Sequence, residues 1–147
     1  MTSPALANGR LGWVADERVR LFSVGYEIRV RISRREAVVL RGHRALFRFT
    51  VAVGRAATPT PLGRFAVTDK LRIRGTASYG CCALPISGRQ PNLPQGWGGG
   101  DRLAIHGTSD PASIGGAVSM GCLRASDQAL RRLLVTVPLG TPVIVSG

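Results

Sequence analysis

Short segments in which hydrophobic and polar residues alternate follow one another through most of the chain, which is the pattern of half-buried β-strands. The clearest is 27–32, Glu-Ile-Arg-Val-Arg-Ile, where polar and apolar side chains alternate strictly. The segment 58–63, Thr-Pro-Thr-Pro-Leu-Gly, predicts a rigid turn, because proline fixes φ and lacks a backbone donor. Further apolar or alternating segments predict strands at 19–22, 37–40, 45–53, 64–74, 102–105 and 140–145.

One helical pattern stands near the end of the chain. Ser126 is a typical N-cap residue, and Asp127 favours the positive end of the helix dipole. Pro138 ends the pattern. Many short strands with one helix predict a mainly β protein arranged as a β-sandwich. The residues that form one apolar stripe along the helix are Ala129, Leu130, Leu133 and Leu134.

The segment 75–100 is predicted to be irregular, because it is rich in glycine and contains three prolines. It also contains Tyr79 and Trp97, the latter inside Gly-Trp-Gly-Gly-Gly. Mobile glycines beside an exposed aromatic residue favour a lid or a substrate wall. The alternative is a surface loop in which Trp97 covers the core.

A second glycine-rich segment, 105–124, carries the candidate chemistry. His106 stands near its start, and Cys122 follows sixteen positions later. Between them lie small residues, a proline and a Gly-Gly pair, so a loop is predicted. Because a loop can fold its two ends together, an imidazole and a thiol can meet here, which is the minimum for a thiolate nucleophile.

The surroundings of Cys122 suit that chemistry. A free thiol has a pKa near ~8.5, and a neighbouring imidazole can remove its proton. Gly121 allows close backbone approach, and amide N–H groups at Gly121 and Cys122 are candidates to bind an oxyanion. Ser119 is small and polar and precedes the thiol by three positions. A lone cysteine is, however, more often a small buried hydrophobe, and a lone histidine is usually structural.

The other two cysteines, Cys81 and Cys82, are adjacent. An odd number of cysteines does not indicate a disulfide framework, and a bridge between neighbours would strain the peptide that joins them. We therefore expect both to be packing residues, with a redox role left open. The spacing of histidine and cysteine does not suggest zinc, so neither metal nor cofactor is expected.

Composition limits the function classes. The 147 residues fit one domain, and no apolar run of about 18 residues predicts a membrane span. The net charge is +12, nearly all from arginine, since Lys70 is the only lysine. Such a charge favours a polyanionic partner, a cell wall or nucleic acid, although a GC-rich genome would give the same arginine bias. Arginine and aromatic residues do not cluster into a recognition helix or stacking surface, so specific nucleic-acid binding is not expected.

The segments Ile-His-Gly-Thr at 105–108 and Ser-Met-Gly-Cys-Leu-Arg at 119–124 resemble the signature of L,D-transpeptidases with the YkuD-type catalytic domain. Val-Gly-Arg-Ala-Ala-Thr-Pro-Thr-Pro-Leu-Gly-Arg-Phe at 53–65 is similar to another segment of that family, and 137–145 is similar to its closing turn and strand. The resemblance covers about 28–145. It implies a β-sandwich of mixed sheets with one short helix packed beside the catalytic loop after the cysteine, and a cleft wall formed by the Thr-Pro-Thr-Pro turn.

One position departs from the pattern. Many family members have a second histidine directly before Gly-Cys, where this chain has Met120. A role that needs that imidazole does not transfer, whereas a main-chain oxyanion hole does.

The resemblance also implies the roles of individual residues. Cys122 is the expected nucleophile, His106 the general base and acid, Gly107 the carbonyl that orients His106, and Gly121 an oxyanion N–H. The residues expected to bind substrate are Ser119, Arg124, Trp97 and Tyr79, although Arg124 is equally able to brace the loop.

The implied reaction is acyl transfer in two steps. Cys122 attacks the carbonyl at the L-centre of the third residue of a peptidoglycan stem tetrapeptide, D-alanine leaves, and an acyl-thioester forms. The side-chain amine of a second stem then attacks to give a 3→3 cross-link. Carbapenems are expected as covalent inhibitors.

Two alternatives remain. If water resolves the same thioester, the enzyme is an L,D-carboxypeptidase. The chain is otherwise a basic wall-binding or nucleic-acid-binding module with an inert thiol.

Residues 1–18 are predicted to be a flexible N-terminal segment ahead of a catalytic domain at 19–147. The first residues lack the basic start and apolar region of a secretory signal, although the family reading places the activity in the cell envelope, in the periplasm or cell wall. The sequence leaves open whether the chain is an excised domain and how it is exported. We expect a monomer.

Overall fold

A computed structural model describes residue 3 and residues 5–73, 78–93 and 100–147. Its α-helix, α1, spans Asp127–Thr136, and two 3₁₀ turns lie at Asp16–Arg18 and Pro111–Ser113. The strands are β1 (Tyr26–Arg31), β2 (Glu36–Arg41), β3 (Arg44–Thr50), β4 (Val53–Gly54), β5 (Gly63–Ala66), β6 (Leu71–Arg72), β7 (Cys82–Arg89), β8 (Arg102–His106), β9 (Ala117–Ser119), β10 (Leu123–Arg124) and β11 (Pro142–Ser146).

The larger sheet joins the two ends of the domain. Its strand order is β3-β2-β1-β11-β5. β1 pairs in parallel with β11, with Ile28 opposite Val143, and the other pairs are antiparallel. The alternation at 27–32 is confirmed, since Ile28 and Val30 are buried while Arg29 and Arg31 are exposed.

The second sheet has the order β10-β8-β7-β6, in which β10 and β8 are parallel and the other pairs antiparallel. A separate parallel pair joins β4 to β9. One continuous core contains residues from the larger sheet such as Ile28, from the second sheet such as Leu84 and Ile105, and from α1 such as Leu130. The predicted fold, mainly β with mixed sheets and a helix after Cys122, is confirmed.

The helix follows its sequence signals. The Ser126 side chain accepts a hydrogen bond from the Ala129 N–H at 3.2 Å, as an N-cap does. Leu130 and Leu133 are fully buried, and the helix ends at Thr136, before Pro138. α1 packs against β7 and β8 of the second sheet.

The prediction that 75–100 is irregular is wrong for 82–89, which form β7 with seven of eight residues buried. Gly88 and Pro85 obscured this strand. A side chain at Gly88 would meet the Phe65 ring at 2.8 Å, so glycine is needed for packing. Pro85 lies at a register irregularity between β7 and β8, where a missing donor is tolerated.

Three strand predictions also differ from the structure. Residues 19–22 form no strand, and Leu21 and Phe22 are exposed. The predicted strand 45–53 divides into β3 and β4, and 64–74 divides into β5 and β6 with Val67 bridged to Ile86.

The N-terminal segment makes one clear contact with the domain. The Asn8 side chain donates to the Arg89 carbonyl at 2.6 Å and accepts from the Arg89 N–H at 2.8 Å. The flexibility of 1–18 stays a prediction. In the described part of the chain, no helix is long and apolar enough to cross a membrane.

Candidate active site

Two neighbouring parallel strands bring the ends of the 105–124 loop together. β10 pairs with β8 so that Leu123 lies opposite Ile105 and Arg124 lies opposite His106. Cys122 directly precedes β10. The predicted closure of the loop is therefore confirmed. It results from backbone hydrogen bonds between β8 and β10.

Strand alternation then decides which side chains meet. Ile105 and Leu123 point into the core, so the residues next to them point to the opposite face of the sheet. On that face His106, Cys122 and Arg124 line one cavity of about 560 Å³. This volume lies within the usual range for small-molecule sites, roughly 300–1,000 Å³.

His106 is 4% exposed and held from two sides. Its Nδ1 lies 2.5 Å from the Gly107 carbonyl oxygen, and the Tyr79 ring packs edge-on with a centroid separation of 4.8 Å. Since the carbonyl can only accept, Nδ1 carries the proton in the neutral ring and Nε2 is unprotonated. Nε2 is the nitrogen that a general base uses.

The Gly107 carbonyl is itself fixed by its surroundings. The Gly107 N–H donates to the Cys82 carbonyl at 3.0 Å. A side chain at Gly107 would overlap Asp127 Oδ1 and lie 3.0 Å from the Tyr79 carbonyl oxygen. Only glycine allows β7, the 79–80 turn and α1 to approach the histidine this closely.

Burial acts on both candidate catalytic groups in the direction that favours neutral forms. Burial lowers the pKa of His106, an effect that the Gly107 carbonyl opposes and the Arg124 charge reinforces. Burial raises the pKa of Cys122, and hydrogen bonding to the Ala104 backbone and the Arg124 charge partly offset this. Both shifts favour the neutral thiol and the neutral imidazole over an ion pair.

Arg124 is half-buried beside both groups. Its Nε atom is buried and has no hydrogen-bond partner among the described residues. An unsatisfied buried donor of a cation costs free energy unless an anion or water pairs with it. The position therefore favours contact with a carboxylate or developing oxyanion over the alternative of a brace satisfied within the loop.

The turn before the thiol is held by hydrogen bonds of Ser119. Ser119 is 1% exposed. Its hydroxyl donates to the Cys122 carbonyl at 2.6 Å and accepts from the Gly121 N–H at 3.1 Å. Both groups are thus already engaged: Ser119 braces the turn instead of contacting substrate through its hydroxyl, and the Gly121 N–H is not free for an oxyanion. No hydrogen bond of the Cys122 N–H is found within the described ranges.

The remaining predicted substrate residues differ in what the structure says of them. Tyr79 is 42% exposed and lines the cavity beside His106. Trp97 lies outside the described residues. Met120, at the position where many relatives have histidine, is 37% exposed at the cavity rim.

The expectation for the adjacent cysteines is wrong, since Cys81 and Cys82 form a disulfide and Cys122 is the free cysteine. The bridge lies behind His106, because the Cys82 carbonyl holds the Gly107 N–H. On the other side, the Cys81 N–H donates to Asp127 Oδ1 at 3.0 Å.

The sequence did not single out three buried polar residues that lie at the site. Thr58 and Thr60 belong to the proline-rich turn predicted as a cleft wall, and both are buried. Gln90 is 1% exposed and donates to the Pro59 carbonyl at 2.9 Å. A single glutamine beside a proline gives no local signal of burial.

His43 lies in the β2–β3 hairpin turn, as predicted, and is exposed on the larger sheet. Within the described ranges, no group of three or more His, Cys, Asp or Glu side chains is placed to hold a metal ion.

Comparison with known proteins gives a consistent result. The family model named YkuD, L,D-transpeptidase catalytic domain, matches residues 25–145. YkuD of Bacillus subtilis, which bears the name of an L,D-transpeptidase, is 33% identical over 125 residues, or 85% of this chain and 68% of that protein.

Solved structures show the same fold at lower identity. An L,D-transpeptidase from Mycobacterium smegmatis gives a TM-score of 0.65 at 19% identity, over 84% of this chain and 59% of that one. The L,D-transpeptidase LdtMt1, solved in complex with imipenem, gives 0.63 at 22% identity, again over 84% of this chain and 59% of that one. The chain thus spans about six tenths of the length of these two proteins.

Proposed function

Since the chain belongs to the YkuD family of L,D-transpeptidase catalytic domains, we propose that it is a cysteine acyltransferase that forms 3→3 cross-links in peptidoglycan. Cys122 is the nucleophile and His106 the general base and acid. The observation that carries the proposal is the delivery of these two side chains by paired strands into one cavity.

In the first step, His106 Nε2 removes the proton of the Cys122 thiol while sulfur attacks the carbonyl carbon of the third stem residue. The new C–S bond gives a tetrahedral intermediate with a negative oxygen. The C–N bond to D-alanine then breaks, and the departing amine takes the proton from His106. The product is an acyl-thioester on Cys122.

In the second step, the side-chain amine of another stem attacks the thioester carbonyl. His106 removes a proton from the attacking nitrogen, the C–S bond breaks, and the sulfur recovers that proton. The net reaction exchanges one amide for another, which explains why no energy-rich co-substrate is required.

Negative charge on the intermediate needs hydrogen-bond donors. The Cys122 N–H is assigned this role, because the Gly121 N–H is bonded to Ser119. The guanidinium of Arg124 is assigned to a substrate carboxylate or to the oxyanion itself. The Gly107 carbonyl accepts from Nδ1, so Nε2 is the nitrogen that takes up and returns the proton in each step.

The family supports the choice of substrate class. Stem tetrapeptides serve as donor and acceptor, and Tyr79 lies where it can contact the donor. We place the activity in the cell envelope, where peptidoglycan lies, with residues 19–147 as a monomeric catalytic domain. A β-lactam of the carbapenem class, such as the imipenem bound to LdtMt1, is the matching covalent inhibitor.

The test is intact mass after incubation with a carbapenem and, separately, with a stem tetrapeptide. The parent protein is expected to gain one acyl group in each case. Cys122→Ser is expected to gain none and to produce no 3→3 dimers in muropeptide analysis, while its melting temperature stays near that of the parent. Normal dimers from this variant would refute the assignment.

A second measurement separates transfer from hydrolysis. With donor alone and then with added acceptor amine, a transpeptidase gives dimers that increase with acceptor concentration. Release of tripeptide alone at every acceptor concentration would show that water resolves the thioester, and the protein would be an L,D-carboxypeptidase.

A further inference from the structure

Three buried side chains from outside the catalytic loop hold the turn that precedes Cys122. Thr58 Oγ1 donates to the Ser119 carbonyl at 3.3 Å, Gln90 Nε2 to the Met120 carbonyl at 3.4 Å, and Thr60 Oγ1 to the Gly121 carbonyl at 2.9 Å. Three successive carbonyls therefore each receive a donor from a buried side chain.

The bond from Thr60 has a consequence for the neighbouring amide. In a trans peptide, the C=O of one residue and the N–H of the next point in opposite directions across the same plane. The chain has no cis peptide among its described residues. Because Thr60 donates to the Gly121 carbonyl, the Cys122 N–H points away from Thr60. Cys122 and Met120, the residues on either side of Gly121, both line the cavity.

The hydroxyl of Thr60 has no freedom to turn away. It accepts the Gly54 N–H at 2.9 Å, so its own proton is directed to the Gly121 carbonyl. A side chain at Gly54 would overlap the Thr58 carbonyl oxygen and lie 2.5 Å from the Thr60 nitrogen. The backbone of the proline-rich turn therefore packs directly against Gly54. Thr60 is 8% exposed, so little of its surface is open to water.

We propose that Thr60 is a positioning residue of the oxyanion hole: its hydroxyl fixes the Gly121–Cys122 peptide plane so that the Cys122 N–H faces the reacting carbonyl. This inference rests on the acyl transfer proposed for Cys122. It gives the Thr-Pro-Thr-Pro turn a part in transition-state stabilisation, through a residue that does not itself touch substrate.

The test compares Thr60→Val, which removes the hydroxyl at nearly constant volume, with Thr60→Ser, which restores it. Thr58→Val is the matched control. Thr58 lies in the same turn and is equally buried, but the Ser119 carbonyl that it contacts also receives the Arg55 N–H at 2.9 Å. If Thr60→Val does not melt cooperatively, Thr60→Ala carries the same comparison.

Two rates are measured for each variant. Acylation by a carbapenem passes through an oxyanion, whereas alkylation of Cys122 by iodoacetamide needs the sulfur nucleophile but no oxyanion hole. Cys81 and Cys82 are bridged, so alkylation reports Cys122 alone. The infrared carbonyl band of the acyl-enzyme is a third readout, because a hydrogen bond to the thioester oxygen lowers its frequency.

For Thr60→Val we expect acylation slower by roughly 10–10²-fold, approaching the loss of an oxyanion donor, with alkylation within about 2-fold of the parent. The thioester band should shift to higher frequency. Thr60→Ser and Thr58→Val should acylate within about 3-fold of the parent, as changes outside the donor set do.

Two results would overturn the inference while leaving the proposed function intact. One is Thr60→Val acylating at the same rate as Thr58→Val. The other is an equal loss of acylation and alkylation, which would mean that the hydroxyl only holds the thiol's surroundings. A parent protein that is not acylated at all would instead refute the proposed function, and this inference with it.

Discussion

Replacing Gly121 with alanine should damage both stability and acylation, and the structure indicates by how much. Gly121 has φ = +110°, a conformation that L-residues rarely adopt. Holding a non-glycine residue there costs about 1–3 kcal/mol. The new methyl group would also overlap Gln90 Nε2 and lie 3.2 Å from Leu103 Cδ2. Backbone strain and side-chain overlap therefore act together at this one position.

Relief of the overlap requires Gln90 to move. Its amide would then lose the hydrogen bond to the Pro59 carbonyl, worth about 1 kcal/mol. Strain and lost bonding together predict destabilisation by about 2–4 kcal/mol. For a domain of this size each kcal/mol lowers the melting temperature by about 2–4 °C, so the expected fall is about 4–16 °C.

The turn that moves also carries the Cys122 N–H, so the rate of thioester formation with a carbapenem should fall by about 10²–10³-fold, as for loss of an oxyanion donor. Gly115→Ala is the matched control from the same loop. Gly115 has φ = +91°, but an added methyl group would meet only Thr50 Cγ2, at 3.6 Å. The control should lose stability by strain alone, and its acylation rate should stay within about 3-fold of the parent.

Thermal unfolding and stopped-flow acylation of the three proteins check this reasoning. If Gly121→Ala acylates at the rate of Gly115→Ala, the conformation at Gly121 does not set the geometry of the nucleophile. If both variants lose the same stability, the overlap with Gln90 carries no energy.

Three further predictions follow from the same geometry. His106→Gln should slow acylation by roughly 10²–10⁴-fold, the usual effect of losing a general base, whereas the exposed His43→Gln should be near neutral; a larger loss at His43 would move the active site elsewhere. Without reductant, mass spectrometry after iodoacetamide treatment should show one modified thiol, at Cys122, and after reduction and unfolding it should show three. Three labels without reductant would contradict the disulfide. The variants Cys81→Ala and Cys82→Ala should still form the acyl-enzyme. Because burial lowers the pKa of His106 below 6.5, the native state disfavours the imidazolium, so the free energy of unfolding should be retained above pH 6.5 and fall as the pH drops through the lowered pKa. His106→Gln should flatten that fall when unfolding is measured against pH, and an unchanged slope would show that another group is responsible.

The pKa directions also refine the meaning of an activated thiol in this site. A raised pKa for Cys122 predicts that simple alkylation speeds up with rising pH beyond neutrality, even in an active enzyme. Slow alkylation at neutral pH is therefore not evidence for an inert thiol here. The informative comparison is between alkylation and acylation, because only acylation uses His106 as the base during attack.

Local patterns in the sequence determined a large part of the fold. Strict alternation at 27–32 located β1, and a capping serine followed by an apolar stripe located α1 with its correct end. These predictions succeed because each depends on periodicity and on hydrogen bonds within a few residues. The family signature around His106 and Cys122 identified the candidate site in the same way, as residue types at a fixed spacing.

The fully buried strand β7 is the case where local pattern failed. Neither alternation nor a helical stripe is present, because both faces of Cys82–Arg89 are covered. Gly88 and Pro85 are residue types that are typical of loops. In the structure Gly88 makes room for the Phe65 ring, and Pro85 lies at a register irregularity with β8. Phe65 and β8 are distant from β7 along the chain, so the pattern of neighbouring residues contains no information about these contacts.

By itself, then, the sequence determined β1 and α1, the nucleophile and base candidates, and the glycine that follows His106. Tertiary structure alone decided how the site is assembled. It placed Thr60 against the Gly121 carbonyl, sixty-one positions away, and it engaged the Gly121 N–H with Ser119. The physical reason is that hydrogen-bond partners of buried groups are chosen among residues some sixty positions apart, once the sheets have packed.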